Sequence, residues 1–160
     1  MSQFRVEKRR VEAELTLSGG QQLRGFFFLA GSTATHHGPE LVVDLLNSGP
    51  GFFPFESAET SSTVLVNRDH VVSAHLLGAA EEAQLASGYD VATVRYVDMT
   101  LSNRVMLRGA VRVYLPEGRD RLSDYARSPE RFRYLENAEG TFVVNTAHIV
   151  ELSDIPEVPS

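Results

Sequence analysis

Apolar and polar positions alternate along most of this chain. Over residues 10–17, Val11, Ala13, Leu15 and Leu17 fall on one side and Glu12, Glu14 and Thr16 on the other. A period of two over that length predicts a half-buried β-strand. Ser18-Gly19-Gly20 then signals a turn, and 21–29 continues as a second strand, completing a hairpin. The same hairpin is predicted at 94–101 and 105–114. It turns through Ser102-Asn103-Arg104, where Asn tolerates a positive φ. Residues 30–40 read as a loop. Leu41 with Leu45, and Leu122 with Tyr125, have helical spacing, which predicts one or two helical turns over 40–47 and 120–127. Third strands are expected at 52–55 and 132–135, fourth strands at 63–67 and 141–145, and short fifth strands at 70–75 and 148–152.

The elements recur because the sequence does. Thr16-Leu17-Ser18, four residues, then Leu23-Arg24-Gly25 returns as Thr100-Leu101-Ser102, four residues, then Leu107-Arg108-Gly109. Two further blocks follow in the same order. The stretch from Asp44 to Phe52 aligns with that from Asp124 to Phe132, and Val66-Asn67-x-x-His70 aligns with Val144-Asn145-x-x-His148. The expected organisation is two tandem copies of one unit, at 9–78 and 89–154, with a linker at 79–88. That linker is rich in helix formers and predicts a short helix. Gly25 and Gly109 interrupt strand patterns, which marks a bend, a bulge or a close backbone approach. The bend a small barrel requires is the expected use.

These residues resemble the Sm-like family, which includes the archaeal and eukaryotic Sm proteins and a bacterial RNA chaperone. The family's first motif is Asn or Asp, Gly, two residues, an apolar residue, one residue, Gly. Gly20-x-x-Leu23-x-Gly25 and Asn103-Arg104-x-x-Leu107-x-Gly109 each carry part of it. The two Asn-x-x-His turns are similar in place to the family's last turn before strand five. The Arg-Leu-Ser-Asp stretch at 121–124 is similar to bacterial Sm-like domains without an assigned role. The resemblance implies an all-β fold with minor helix, arranged as two tandem five-stranded small barrels. Two features depart from the family. A loop and helical turns separate strands two and three, and no aromatic or Lys-His pair matches its uridine pocket.

Charge and composition narrow the function. The net charge of −6 argues against a general polyanion binder, because phosphate contacts need cations. Lys8-Arg9-Arg10 and the arginines between 119 and 133 are basic runs, the second broken by acids, and both read as solvated, salt-bridged surface. With no cysteine there is neither a disulfide framework nor a thiolate metal site, which fits a reducing compartment. No signal peptide or membrane span is apparent, so a cytoplasmic protein with no membrane contact is expected. There is no P-loop, Rossmann fingerprint or nucleophile elbow. His36-His37 lacks the partners a metal site needs, and the matching places of Asp44 and Asp124 read as helical-turn capping or solvation. The expectation is no enzyme, no cofactor and no metal.

Two sets of residues remain. Arg24, Asn67, His70, Arg108, Asn145 and His148 are the candidate ligand or RNA-binding residues. The alternative for the Asn-His pairs is that each ties its turn to the backbone. Phe26 and Phe28 lie on the outer face of strand two, where the second copy has Ala110 and Arg112. Two phenylalanines there predict a covered face, with a second chain as the favoured cover. The leading expectation is a non-enzymatic binding or scaffold module that self-assembles through barrel surfaces and strand edges. It would form a homo-oligomer, with a further protein partner open. The alternative is an RNA-binding Sm-like protein.

Overall fold

The computed structural model describes residues 8–30, 39–77, 89–113, 122–127 and 129–155. The expected linker at 79–88, most of the 30–40 loop and His36-His37 lie outside them. Ten strands form one antiparallel sheet: β1 (Lys8–Leu17), β2 (Gln22–Ala30), β3 (Phe52–Ser57), β4 (Thr63–Asn67), β5 (Val71–Leu76), β6 (Thr93–Leu101), β7 (Met106–Val113), β8 (Phe132–Asn137), β9 (Gly140–Asn145) and β10 (Ile149–Asp154). Two short helices, α1 (Val42–Asn47) and α2 (Leu122–Ala126), stand where helical spacing predicted them. None of the described helices is long and apolar enough to cross a membrane.

The strand order is β10-β6-β7-β8-β9-β5-β1-β2-β3-β4. Each half of the sequence therefore contributes five neighbouring strands in the same internal order. The halves are stitched by β5 against β9, through Ser73↔Val144, Ala74↔Val143, His75↔Phe142 and Leu76↔Thr141. This corrects the expected architecture: the sheet is open and continuous, not two closed five-stranded barrels. The physical reason lies in β5. Its free edge is taken by β9 of the other half, so it does not close onto β4 of its own.

Each half is nonetheless strongly curled. β4 and β5 lie at opposite ends of a five-strand order, roughly 19 Å apart if the sheet were flat. Only Arg68–His70, a single 3₁₀ turn, connects them. A link that short spans at most about 14 Å, so the sheet must bend to bring its ends together. The two glycines permit the bend. A Cβ on Gly25 would stand 1.9 Å from the Glu56 carbonyl oxygen, and one on Gly109 would stand 2.6 Å from that of Glu136. Close backbone approach thus accompanies the bend at both glycines.

Two apolar clusters fill the curls. Leu15, Phe27, Phe53, Phe55 and Val66 centre the first, and Met99, Leu107, Val111 and Leu135 the second. The clusters trade members across the junction. Phe132 and Val143 of the second half join the first cluster, and Val72 of the first half joins the second. Arg68 is buried with them. Its guanidinium donates to the carbonyls of Leu45, Leu46 and Phe52 at 2.9, 3.1 and 2.9 Å, satisfying the exposed end of α1. Burial and the nearby Arg131 charge both lower its pKa, burial more.

Gly25→Ala and Gly109→Ala are expected to destabilise the fold by about 1–3 kcal/mol each in urea denaturation, the overpacking range. Gly25→Ala should cost more, because the carbonyl oxygen its Cβ would meet is nearer, at 1.9 Å against 2.6 Å. Equal midpoints for both variants and the parent would refute the close approach.

Candidate functional site

The two Asn-x-x-His turns are built alike. Asn67 Oδ1 accepts from the Asp69 amide at 2.9 Å, and Asn145 Oδ1 accepts from the Ala147 amide at 3.0 Å. His70 Nδ1 meets Ser18 Oγ at 2.7 Å, and His148 Nδ1 meets Ser102 Oγ at the same distance. The amides of Ser18 and Ser102 donate to the carbonyls of His70 and His148, each at 2.8 Å. So the inner atoms of both pairs fasten the strand-four to strand-five turn onto the first hairpin of their half. The sequence offered ties to the backbone as one of two readings; the asparagines make them within each turn, while the imidazole Nδ1 atoms meet serine hydroxyls instead.

The outer atoms differ. Asn145 Nδ2 crosses the junction and donates to the carbonyls of Val71 at 2.9 Å and Arg68 at 3.4 Å. His148 Nε2 lies 2.8 Å from the Asp69 carbonyl oxygen. Asn47 adds a pair of 2.9 Å bonds to the backbone N–H and C=O of Phe132, and Arg131 pairs with Asp69. In the first half, Asn67 Nδ2 and His70 Nε2 have no partner among the described residues. His70 is exposed and Asn67 half-buried, whereas Asn145 is completely buried.

The same contrast runs through the apolar residues. Phe132 and Val143 are 0% exposed, while their counterparts Phe52 and Leu65 are 60% and 69% exposed. Val72 is 0% exposed, and its counterpart Val150 is 64% exposed. The exposed members sit on or next to β4 and β10, the two outermost strands. An unpaired edge offers a row of free N–H and C=O groups. Sequence reasoning singled out none of these three residues. A signal was present in Val64-Leu65-Val66, an unbroken apolar run that reads as a strand covered on both faces.

The remaining candidates are not gathered into this site. Arg24 donates twice to Glu12, at 3.0 and 2.9 Å, and Arg108 twice to Asp98, at 2.7 and 2.9 Å. The hydrogen bond from Arg108 holds the Asp98 carboxyl below its ordinary range. Both arginines are thus committed to carboxylates on the neighbouring strand. Phe26 and Phe28 are half-buried, and the Arg10 guanidinium lies 4.2 Å over the Phe26 ring while pairing with Glu56. A groove beside the junction is lined by Glu14, Asn103 and Glu139 and contains no Lys or Arg. Within it His75 stacks on Phe142 with centroids 4.3 Å apart and bonds the Glu139 carbonyl at 2.9 Å. Asp44 Oδ2 accepts from the Leu41 amide at 2.8 Å at the start of α1, as a capping role requires. Among the described residues, no cluster of three or more His, Asp or Glu could hold a metal.

Comparison with protein-family models, with curated proteins and with solved structures gave no match.

The contrast between the two asparagines can be measured. At concentrations where the chain is monomeric, Asn145→Ala is expected to cost about 1–3 kcal/mol, because it orphans buried carbonyls. Asn67→Ala should cost only about 1 kcal/mol, the loss of a cap. Equal costs in chemical denaturation would contradict the assignment of Asn145 to the junction.

Proposed function

We propose that the protein is a non-enzymatic binding and scaffold module, built from two Sm-like units, that self-assembles through its open sheet edges. One observation carries the reading: the side chains that seal the junction inside the chain have counterparts lying bare along β4 and β10. Adding a strand there would satisfy backbone groups and cover apolar surface together, the physics of β-augmentation. Covering Phe52 or Leu65 would stabilise such a contact by about 2 kcal/mol each. The reading shifts assembly from barrel surfaces and the Phe26–Phe28 face to the edges, since Arg10 already lies over Phe26.

RNA binding draws less support from the geometry. Arg24 and Arg108 face carboxylates, and the junction groove is acidic. Phosphate contacts require uncommitted cations.

Light scattering across a wide concentration range should show a mass that rises above one chain. Leu65→Arg should return it to one chain while the far-ultraviolet circular dichroism stays that of the parent. A parent that remains monomeric throughout would refute assembly. A gel shift with uridine-rich RNA at nanomolar protein would favour the RNA reading instead; none is expected below micromolar protein.

A further inference from the structure

We propose that the groove beside the junction is a binding site for a small organic cation, an ammonium, amidinium or guanidinium group carried on an apolar body. The site uses neither open sheet edge, so it stands apart from self-assembly.

The groove has a volume of about 440 Å³, the size of a small-molecule pocket rather than of a slot for one side chain. Strand register builds its floor. Glu14 stands opposite His75 across β1 and β5, and His75 stands opposite Phe142 across β5 and β9. The imidazole stacks on the Phe142 ring, and its Nε2 lies 2.9 Å from the carbonyl of Glu139, on the turn into β9. Val105 and Leu107 of the second half add an apolar wall. A flat apolar body therefore has rings and aliphatic carbon to lie against.

Charge selects the ligand. Elsewhere on the sheet the carboxylates are answered by arginines: Glu12 by Arg24, Glu56 by Arg10, Asp98 by Arg108 and Glu136 by Arg112. The carboxylates of Glu14 and Glu139 meet no cation among the described residues, and the groove between them is lined by none. The duplication shows how Glu14 comes to be bare. Its counterpart is Asp98, and each acid stands directly opposite the arginine of its hairpin, Glu14 opposite Arg24 and Asp98 opposite Arg108. Arg108 closes on Asp98, but Arg24 turns to Glu12 and releases Glu14.

The imidazole adds an acceptor. Its Nε2 meets a carbonyl and must donate, so in the neutral ring Nδ1 accepts, and Nδ1 has no partner among the described residues. Two carboxylates and one imidazole nitrogen thus offer acceptors only. A ligand that brings N–H donors and positive charge matches all three, and an anion matches none. The fold that the two halves share does not require this set. In the other copy Ser153 stands for His75, Val64 for Phe142 and Gln21 for Val105.

Benzamidine, a cation on a flat apolar ring, is the probe, and benzamide is its neutral counterpart. In amide NMR spectra of the whole chain, benzamidine should shift Glu14, His75 and Phe142 saturably, and benzamide should bind about tenfold more weakly or worse. Glu14→Gln and Glu139→Gln should each weaken benzamidine by about tenfold, the loss of one charged hydrogen bond. Both variants should keep the melting temperature of the parent, since neither carboxylate holds a partner. Glu59→Gln, an exposed acid outside the groove, should leave the affinity unchanged. Equal affinity for benzamidine and benzamide, shifts confined to residues outside the groove, or undiminished binding by the Glu14→Gln and Glu139→Gln double variant would overturn the site. Tighter binding of N-acetyl-arginine amide than of benzamidine would assign the groove to a protein side chain and overturn the small ligand.

Discussion

A β-strand presents backbone donors and acceptors on both flanks, and burying either flank unpaired costs more than most side-chain contacts return. In this chain that constraint falls on β5. Its inner flank is held by β1 and its outer flank by β9. Everything distinctive about the fold depends on the second pairing. It makes one sheet from two halves, lets the apolar clusters exchange Phe132, Val143 and Val72, and seats Asn145 where its amide can reach two carbonyls. Without β9, Ala74 and Leu76 would face water beside an open edge.

The junction is guarded by polar groups with little freedom to rearrange. The Arg68 guanidinium is committed to the end of α1, while its own carbonyl accepts from Asn145. Helix, 3₁₀ turn and neighbouring strand are thus tied through one residue of the first half. Hydrogen bonds in so dry a place gain strength, but any partner lost leaves a buried group unsatisfied. That asymmetry makes the junction specific as well as stable: a shifted register would strand the Asn145 amide and both carbonyls together.

Much of this fold was legible in the sequence, and the limit falls at a definite place. Alternation at Val11, Ala13 and Leu15 reported a strand because half-burial is local and periodic. Helical spacing at Leu41 and Leu45 marked α1, and the duplicated block predicted the duplicated hairpin. Strand partners across the junction leave no such trace. Nothing in Ser73-Ala74-His75 says whether β4 or β9 lies beside it, so closed barrels and an open sheet read alike. The Asn-His pairs were found, but only half their chemistry was readable. Their inner bonds are made within each half, whereas the outer bonds of Asn145 and His148 reach carbonyls of the other half, of Arg68, Val71 and Asp69. Phe26 lies under Arg10 of the neighbouring strand, a contact that alternation along one strand does not report.

Duplication turns this limit into information once the structure is known. Two copies of a residue begin with the same chemistry, so a difference in burial between them reports surroundings rather than identity. Val72 and Val150 are the same residue type in the same place on the fifth strand, and one is sealed while the other is bare. Asn67 and Asn145 share an inner bond and differ only in the outer one. A lone exposed valine is ordinary on a protein surface. An exposed valine whose twin is fully buried by a neighbouring half means that the exposed one lacks that neighbour. Phe52, Leu65, Asn67 and His70 give the same reading at the other edge. The chain thus carries one sealed copy of the junction, and the matching residues on and beside β4 and β10 stand exposed.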